Sequence, residues 1–198
     1  MTTIDPRFDY CELLLQHENP AQVPAPSLPE SYAVASDPLA YRDAWVALMG
    51  ELRFPGDLDE HRAHWAAMAE TDPELFSRYS AFVVDGQGDL AATCSLWPGR
   101  HFSPERLRIH WVMTSPSHQR KGLARVAVAE CCRRFAADKP GEPLYLSTQA
   151  QSWPAIRLYE SMGFAPYEGA WSDRTAEQSA ADWAEARRLV REVAGAEV

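Results

Sequence analysis

The chain has 198 residues, 46% of them apolar and 24% charged, with a net charge of −9 near pH 7. That length predicts one domain with residues enough for a real core, and the negative balance excludes nucleic acid as an expected partner, because phosphate backbones call for surplus Lys and Arg. No apolar run approaches the ~20 residues of a membrane span, and the opening MTTIDPRFDY lacks a basic region followed by an apolar core, so neither an anchor nor a leader is expected and the cytoplasm is the expected compartment.

Asp9 to Gln16 reads as a strand with Cys11, Leu13 and Leu15 on one face. Pro20, Pro24, Pro26 and Pro29 then forbid helix and favour an extended connector. Ser31 to Ala35 is a short first core strand. Asp37 followed by Pro38 is an N-cap with Pro at the first helical position, predicting a helix to about Met49. Asp57 with Glu60 three residues on predicts a capping box and a helix through Met68. Strands over Ser80–Val84 and Leu90–Trp97 flank the turn DGQGD, and Leu107–Thr114 is the next strand. Ala124, Ala127, Val128, Cys131 and Phe135 recur at helical spacing, so that helix packs one face on a sheet. Strand 144–147, helix 153–162 and strand 164–171 follow, with Gly163 placed as a helix C-terminal cap. Thr175 and Gln178 form a second capping box, and Trp183, Ala186, Val190 and Val193 give the last helix its apolar stripe.

The four cysteines, Cys11, Cys94, Cys131 and Cys132, have the spacing of neither a zinc site nor a disulfide framework and read as free thiols. His61 and His64 stand one helical turn apart, a spacing that can bind metal, but no third ligand accompanies them. An exposed helix face is the reading preferred, and no metal is expected. The Trp and Met residues between Trp45 and Phe76 read as core.

The most informative stretch is SPSHQRKGLARVAVAECCRRF, Ser115 to Phe135. A strand, a tight turn with its one glycine at Gly122 and a long helix follow one another. The helix start offers unpaired amides and the positive end of the dipole, which is how backbone receives a phosphate. Arg120, Lys121 and Arg125 add positive charge, and Lys121 is one of only two lysines in the chain.

QRKGLA, Gln119 to Ala124, resembles the Q/R-x-x-G-x-G/A signature of the GCN5-related N-acetyltransferases (GNAT). LYLSTQAQSWPAIRLYESMGFAPYE, Leu144 to Glu168, is similar to that family's last core strand followed by its A-x-x-L-Y-x-x-x-G-F helix. The two motifs stand in the family's order and together cover roughly residues 107 to 170, which makes the pair far more specific than either alone. The resemblance implies an α/β acyl-CoA N-acyltransferase (GNAT) fold, with a central, mixed but mostly antiparallel sheet and helices on both faces. It divides the chain into an N-terminal strand and connector (1–30), the acetyltransferase domain (31–172) and a C-terminal helix packed on it (173–198). Where the family ends on a strand, this chain turns polar at SDRTAEQS and becomes helical. The strand at Asp9 to Gln16 then either fills the vacant sheet edge or forms a surface arm or dimer contact.

The resemblance also implies the site. Gln119, Arg120, Lys121, Gly122, Leu123, Ala124 and Arg125 would hold the pyrophosphate of acetyl-CoA. Val112, Met113 and Thr114 would pair their main chain with the pantetheine arm and offer an N–H to the thioester carbonyl. Ser152 stands where the family commonly has Asn; it offers a hydroxyl in place of an amide, so a helix-capping role is preferred over a cofactor contact. Tyr159 matches the tyrosine that protonates the departing thiolate, the alternative being a core tyrosine beside Phe164. His110 is the candidate base, acting directly or through water, and a satisfied strand histidine is the alternative. The implied activity is transfer of acetyl from acetyl-CoA to a primary amine of a small molecule or peptide. Acetylation of a protein N-terminus or lysine, and a non-catalytic acyl-CoA-binding module, are the alternatives.

Overall fold

The computed structural model describes residues 5, 7, 9–24 and 26–195. Residues 1–4, within the stretch read for a leader, and the side chain of Val193 lie outside the described residues. The chain forms two compact units that alternate along the sequence. The first comprises Asn19–Trp97 and Ile109–Glu142; the second comprises the described residues up to Glu18, Pro98–Arg108 and the chain from Pro143 onward.

In the first unit, strands β2 (Tyr32–Val34), β3 (Ser80–Asp85), β4 (Leu90–Gly99, its first eight residues) and β5 (Arg106–Thr114, from Ile109 on) lie in that order. β2 pairs antiparallel with β3, and β3 with β4. The β3–β4 hairpin closes as its turn chemistry predicts: Gly88 has φ +88°, and the Asp85 carboxylate accepts from the amides of Gln87 and Asp89.

Helices α1 (Arg42–Glu51), α2 (Leu58–Trp65) and α3 (Pro73–Tyr79) separate β2 from β3. Asp37 does accept from Leu39 N–H, yet what it caps is a 3-10 turn, Pro38–Tyr41, that runs on into α1. The Asp57–Glu60 capping box forms in full. α2 ends sooner than expected, because Ala66–Glu70 widens into a π-helical turn. α3 is capped by Asp72 with Pro73 behind it, the same Asp-Pro device that opens the earlier turn, and it was missed from the sequence. Trp45, Met49, Trp65, Met68, Phe76, Phe82 and Met113 form the core beneath these helices, as expected. Its rings meet edge to face, Trp65 on Phe76 at 5.0 Å and Trp45 on Trp65 at 5.5 Å, each pair contributing ~0.5–1.5 kcal/mol beyond simple burial. α4 (Leu123–Asp138) packs on β3 through Ala127, Val128, Cys131 and Phe135. Arg134 of α4 donates to the carbonyls of Ser77, Arg78 and Ser80, satisfying the open C-terminal end of α3.

In the second unit, the strand order is β6 (Leu144–Gln149), β1 (Glu12–His17), β7 (Ala165–Pro166). β1 pairs antiparallel with both neighbours, Leu15 standing opposite Leu146 on one side and Pro166 on the other. The strand read at Asp9 to Gln16 therefore lies inside a sheet; it neither completes an edge nor forms an arm. Leu13, Leu14 and Leu15 are all buried, so both faces of β1 are covered. The strand expected over 164–171 shrinks to two residues plus a bridge between Trp171 and Arg174. Helix α5 (Trp153–Glu160) ends at Gly163, φ +90°, as its sequence position predicted. The Thr175–Gln178 box forms, and α6 (Ala176–Gly195) docks with Trp183 donating to the Leu14 carbonyl at 3.2 Å. Cys94, Cys131 and Cys132 are buried free thiols and Cys11 a half-buried one.

Candidate functional site

The turn before α4 has the backbone of an anion site. Gly122 is the helix N-cap at φ +77°, a conformation open to glycine at no steric cost, and Arg120 also lies in the left-handed region at φ +65°. Backbone passing repeatedly through that region makes anion-binding nests. A glycine has no side chain to cap the helix, and no acidic residue occupies its first turn. The positive end of α4 is thus left without a side-chain cap or a nearby carboxylate in its first turn. A Cβ built on Gly122 meets nothing within 4 Å, so protein packing does not demand the glycine. Arg120 and Lys121 are exposed, Gln119, Ala124 and Arg125 half-buried, and Leu123 is buried and anchors the helix start.

β5 is bent in its middle. Trp111 has φ +50°, an outlier for so bulky a side chain and of the kind that gathers at functional sites. The kink falls between His110 and Val112 and interrupts the regular alternation of the strand. Trp111 itself is a hub: His110 lies 4.7 Å from its ring, Trp45 5.4 Å, and Phe54 and His64 5.5 Å each. Its carbonyl accepts from the Thr93 hydroxyl at 2.8 Å. Met113 is fully buried, and the buried Thr114 Oγ1 has no hydrogen-bond partner among the described residues. These five consecutive residues, 110 to 114, lead directly into the turn.

Ser152 and Tyr159 belong to the second unit. Ser152 is 3% exposed and makes no capping hydrogen bond, which corrects the preferred reading. Its ψ of 36° lacks the extended geometry from which a serine reaches back, and Pro154 removes one of the amides it would cap. Tyr159 is 7% exposed with its ring 6.2 Å from Phe164. Glu160, next to Tyr159 in the chain, is exposed.

A polar chain beside the phosphate turn escaped the sequence reading. Lys121 Nζ donates to Tyr32 Oη at 2.8 Å, Tyr32 Oη lies 2.9 Å from His118 Nδ1, and His118 Nε2 stands 3.8 Å from Asp85 Oδ2. The Asp85 carboxyl is held below the usual range, chiefly by the Asp89 N–H. Tyr32 had signalled only a strand. His118 lay within the quoted stretch, but its spacing gave no hint of either partner.

His61 departs from the exposed-face reading: it is 3% exposed with Nε2 unpartnered among the described residues, whereas His64 is exposed. Among the described residues no three His, Cys, Asp or Glu side chains gather as a metal site. Nor is any described helix long and apolar enough to cross a membrane.

Residues 40–164 match the acetyltransferase (GNAT) family. A search of curated proteins finds no match. Among solved structures, the chain resembles a GCN5-related N-acetyltransferase from Sphaerobacter thermophilus with TM-score 0.62 and 18% identity, over 80% of this chain and 50% of that one. It resembles a GCN5-related N-acetyltransferase from Kribbella flavida with TM-score 0.50 and 19% identity, over 80% of this chain and 55% of that one. It also resembles glucosamine-6-phosphate N-acetyltransferase from Arabidopsis thaliana with TM-score 0.52 and 16% identity, over 73% of this chain and 99% of that one. The chain spans about half the length of the first solved structures it matches. At these identities the likeness shows the fold, the mixed, mostly antiparallel α/β fold of these acetyltransferases.

Proposed function

The chain belongs to the acetyltransferase (GNAT) family, and on that premise we propose that it is an N-acetyltransferase moving the acetyl group of acetyl-CoA to a primary amine of a small molecule or peptide. The observation that carries the proposal is the turn before α4. Gly122 adopts a left-handed conformation with open space where a side chain would stand, at a helix start with no acidic residue in its first turn. A pyrophosphate fits that backbone; Gln119 to Ala124 would hold it, with Arg120, Lys121 and Arg125 supplying charge.

The remaining roles follow the chemistry of a thioester. Acetyl-CoA supplies an acyl group on a thiolate leaving group. Main chain at Val112, Met113 and Thr114 aligns the arm as an added strand and donates an N–H to the carbonyl oxygen as it gains charge. His110, directly or through one water, takes the proton that the amine loses as its nitrogen bonds to the carbonyl carbon. Tyr159 gives its proton to the sulfur as the C–S bond breaks. Ser152 is a further cofactor contact through its hydroxyl.

CoA should raise the melting temperature, since a ligand that binds the folded state alone stabilises it by about 2.7 kcal/mol at 100 times its Kd. Gly122→Val should abolish the rise, because a branched side chain is strained at φ +77° and enters the phosphate cradle. No shift with millimolar CoA, or an equal shift in the variant, would sink the phosphate-turn reading.

A further inference from the structure

We propose that Tyr32, backed by His118, is a positioning residue that holds the Lys121 ammonium at the phosphate turn, which makes strand β2 part of the cofactor site. The inference rests on the phosphate-turn reading given above and extends it to a residue before position 40, where the family match begins.

Donor and acceptor chemistry fixes the direction of the chain. A lysine ammonium has three donors and no acceptor, so in the 2.8 Å contact Tyr32 Oη accepts. The tyrosine proton is then free to go elsewhere, and His118 Nδ1 lies 2.9 Å away. In the tautomer with its hydrogen on Nε2, that nitrogen accepts from the tyrosine and the Nε2–H faces Asp85. Lys121, Tyr32 and His118 thus form one hydrogen-bonded sequence, and Asp85 faces its far end at 3.8 Å, beyond hydrogen-bond distance. Each link is anchored: Tyr32 stands opposite Asp85 in the β2–β3 register, Asp85 is pinned by the hairpin amides, and His118 sits in the 3-10 turn Pro116–His118. The tyrosine ring adds a second hold, with Lys121 Nζ 5.5 Å from its centroid.

An exposed lysine on a four-carbon stem loses rotamer freedom when a ligand immobilises it. Tyr32 takes that loss during folding. One of three ammonium hydrogens is engaged, and two remain for phosphate oxygens. With Arg120 and Arg125 placed on the turn by backbone alone, Lys121 is the basic residue here with a built bracket among the described contacts.

The test is CoA titration on the full chain, with steady-state kinetics on acetyl-CoA. Tyr32→Phe keeps the ring and strand and removes only the hydroxyl. It should weaken CoA binding and raise the KM for acetyl-CoA about three- to tenfold, the scale of one ordinary net hydrogen bond, at unchanged kcat. In a Lys121→Ala background the same substitution should have no further effect, because its action passes through the lysine. His118→Ala should behave like Tyr32→Phe, whereas His118→Asn, whose carbonyl can accept near the Nδ1 position, should recover. Unchanged or tighter CoA binding by Tyr32→Phe would overturn the proposal, as would additive losses in the double variant. If Gly122→Val abolishes binding while Tyr32→Phe does nothing, the positioning role falls and the turn stands. If Gly122→Val binds normally, the turn itself is wrong.

Discussion

At the scale of single residues, Tyr159 carries the sharpest chemical expectation. A thiol has a pKa of about 8.5 and a phenol about 10, so the thiolate is a tolerable leaving group that a tyrosine can still assist. Tyr159→Phe keeps the ring against Phe164 and removes the hydroxyl that would give the proton. We expect kcat to fall at the low end of the ~10²- to 10⁴-fold range of general acid catalysis, with CoA affinity nearly unchanged. Kinetics beside a CoA titration decides it, and full activity would return Tyr159 to a packing role. How far residues were legible depends on what their roles rest on. Gly122 could be read because its role is backbone conformation, and glycine is the residue type that advertises it. Trp111 could not: no residue type signals a tryptophan at φ +50°, which its ring contacts impose from elsewhere in the fold. Ser152 was misread because residue type named a cap while its own ψ, set by the turn at 150–152, forbids one.

At the scale of elements, local chemistry was read well and partners poorly. The Asp57 and Thr175 boxes and the Gly163 cap depend on neighbours within a few residues, and all three form. The pairing of β1 depends on residues far along the chain. Its burial was nonetheless written in the run Leu13-Leu14-Leu15, since three consecutive apolar residues, unlike alternation, signal a strand covered on both faces. Leu14 packs with Tyr145 and Trp171 on one of those faces. Leu14→Ala should therefore cost about 2–5 kcal/mol of unfolding free energy in a denaturant titration, the price of a truncated, fully buried leucine. A loss below ~0.5 kcal/mol, the range of surface substitutions, would show that this face is not a packed interior.

At the scale of the whole molecule, the titrating groups lean one way. His101 hydrogen-bonded to Glu12 at 3.1 Å holds that carboxyl below its ordinary range, and burial holds His17 below its own, opposed by the Met162 backbone. Each folded pKa lies below its unfolded value, so each group contributes stability that is present at higher pH and lost as pH falls. His17 begins to lose its share near its unfolded value of about 6.5, and Glu12 near about 4.3. Arg133 beside Glu130 and Arg78 beside Asp138 act in the same sense, weakly at exposed sites. The melting temperature should stay level from about pH 7 to 8 and decline in two steps below. His17→Gln should remove the upper step, and an equal decline between pH 7 and 5 in that variant would assign it elsewhere. Family, fold class and the left-handed glycine before α4 could be read ahead of the structure. The tie between β2 and the turn could not, because it joins positions 32, 85, 118 and 121, which only folding makes neighbours.

The place of β1 between β6 and β7 also bears on how the protein is made. More than a hundred residues separate His17 from Leu144, so on a ribosome adding about 5–20 residues per second the strand waits roughly 6–25 s for its first partner. During that time a triple-leucine segment with both faces uncovered is free to pair with the wrong chain. Glu12, Gln16 and Glu18 border the leucines, the polar flanks that restrain such pairing. The second unit therefore closes only once the chain from Pro143 onward has been made, well after its first strand.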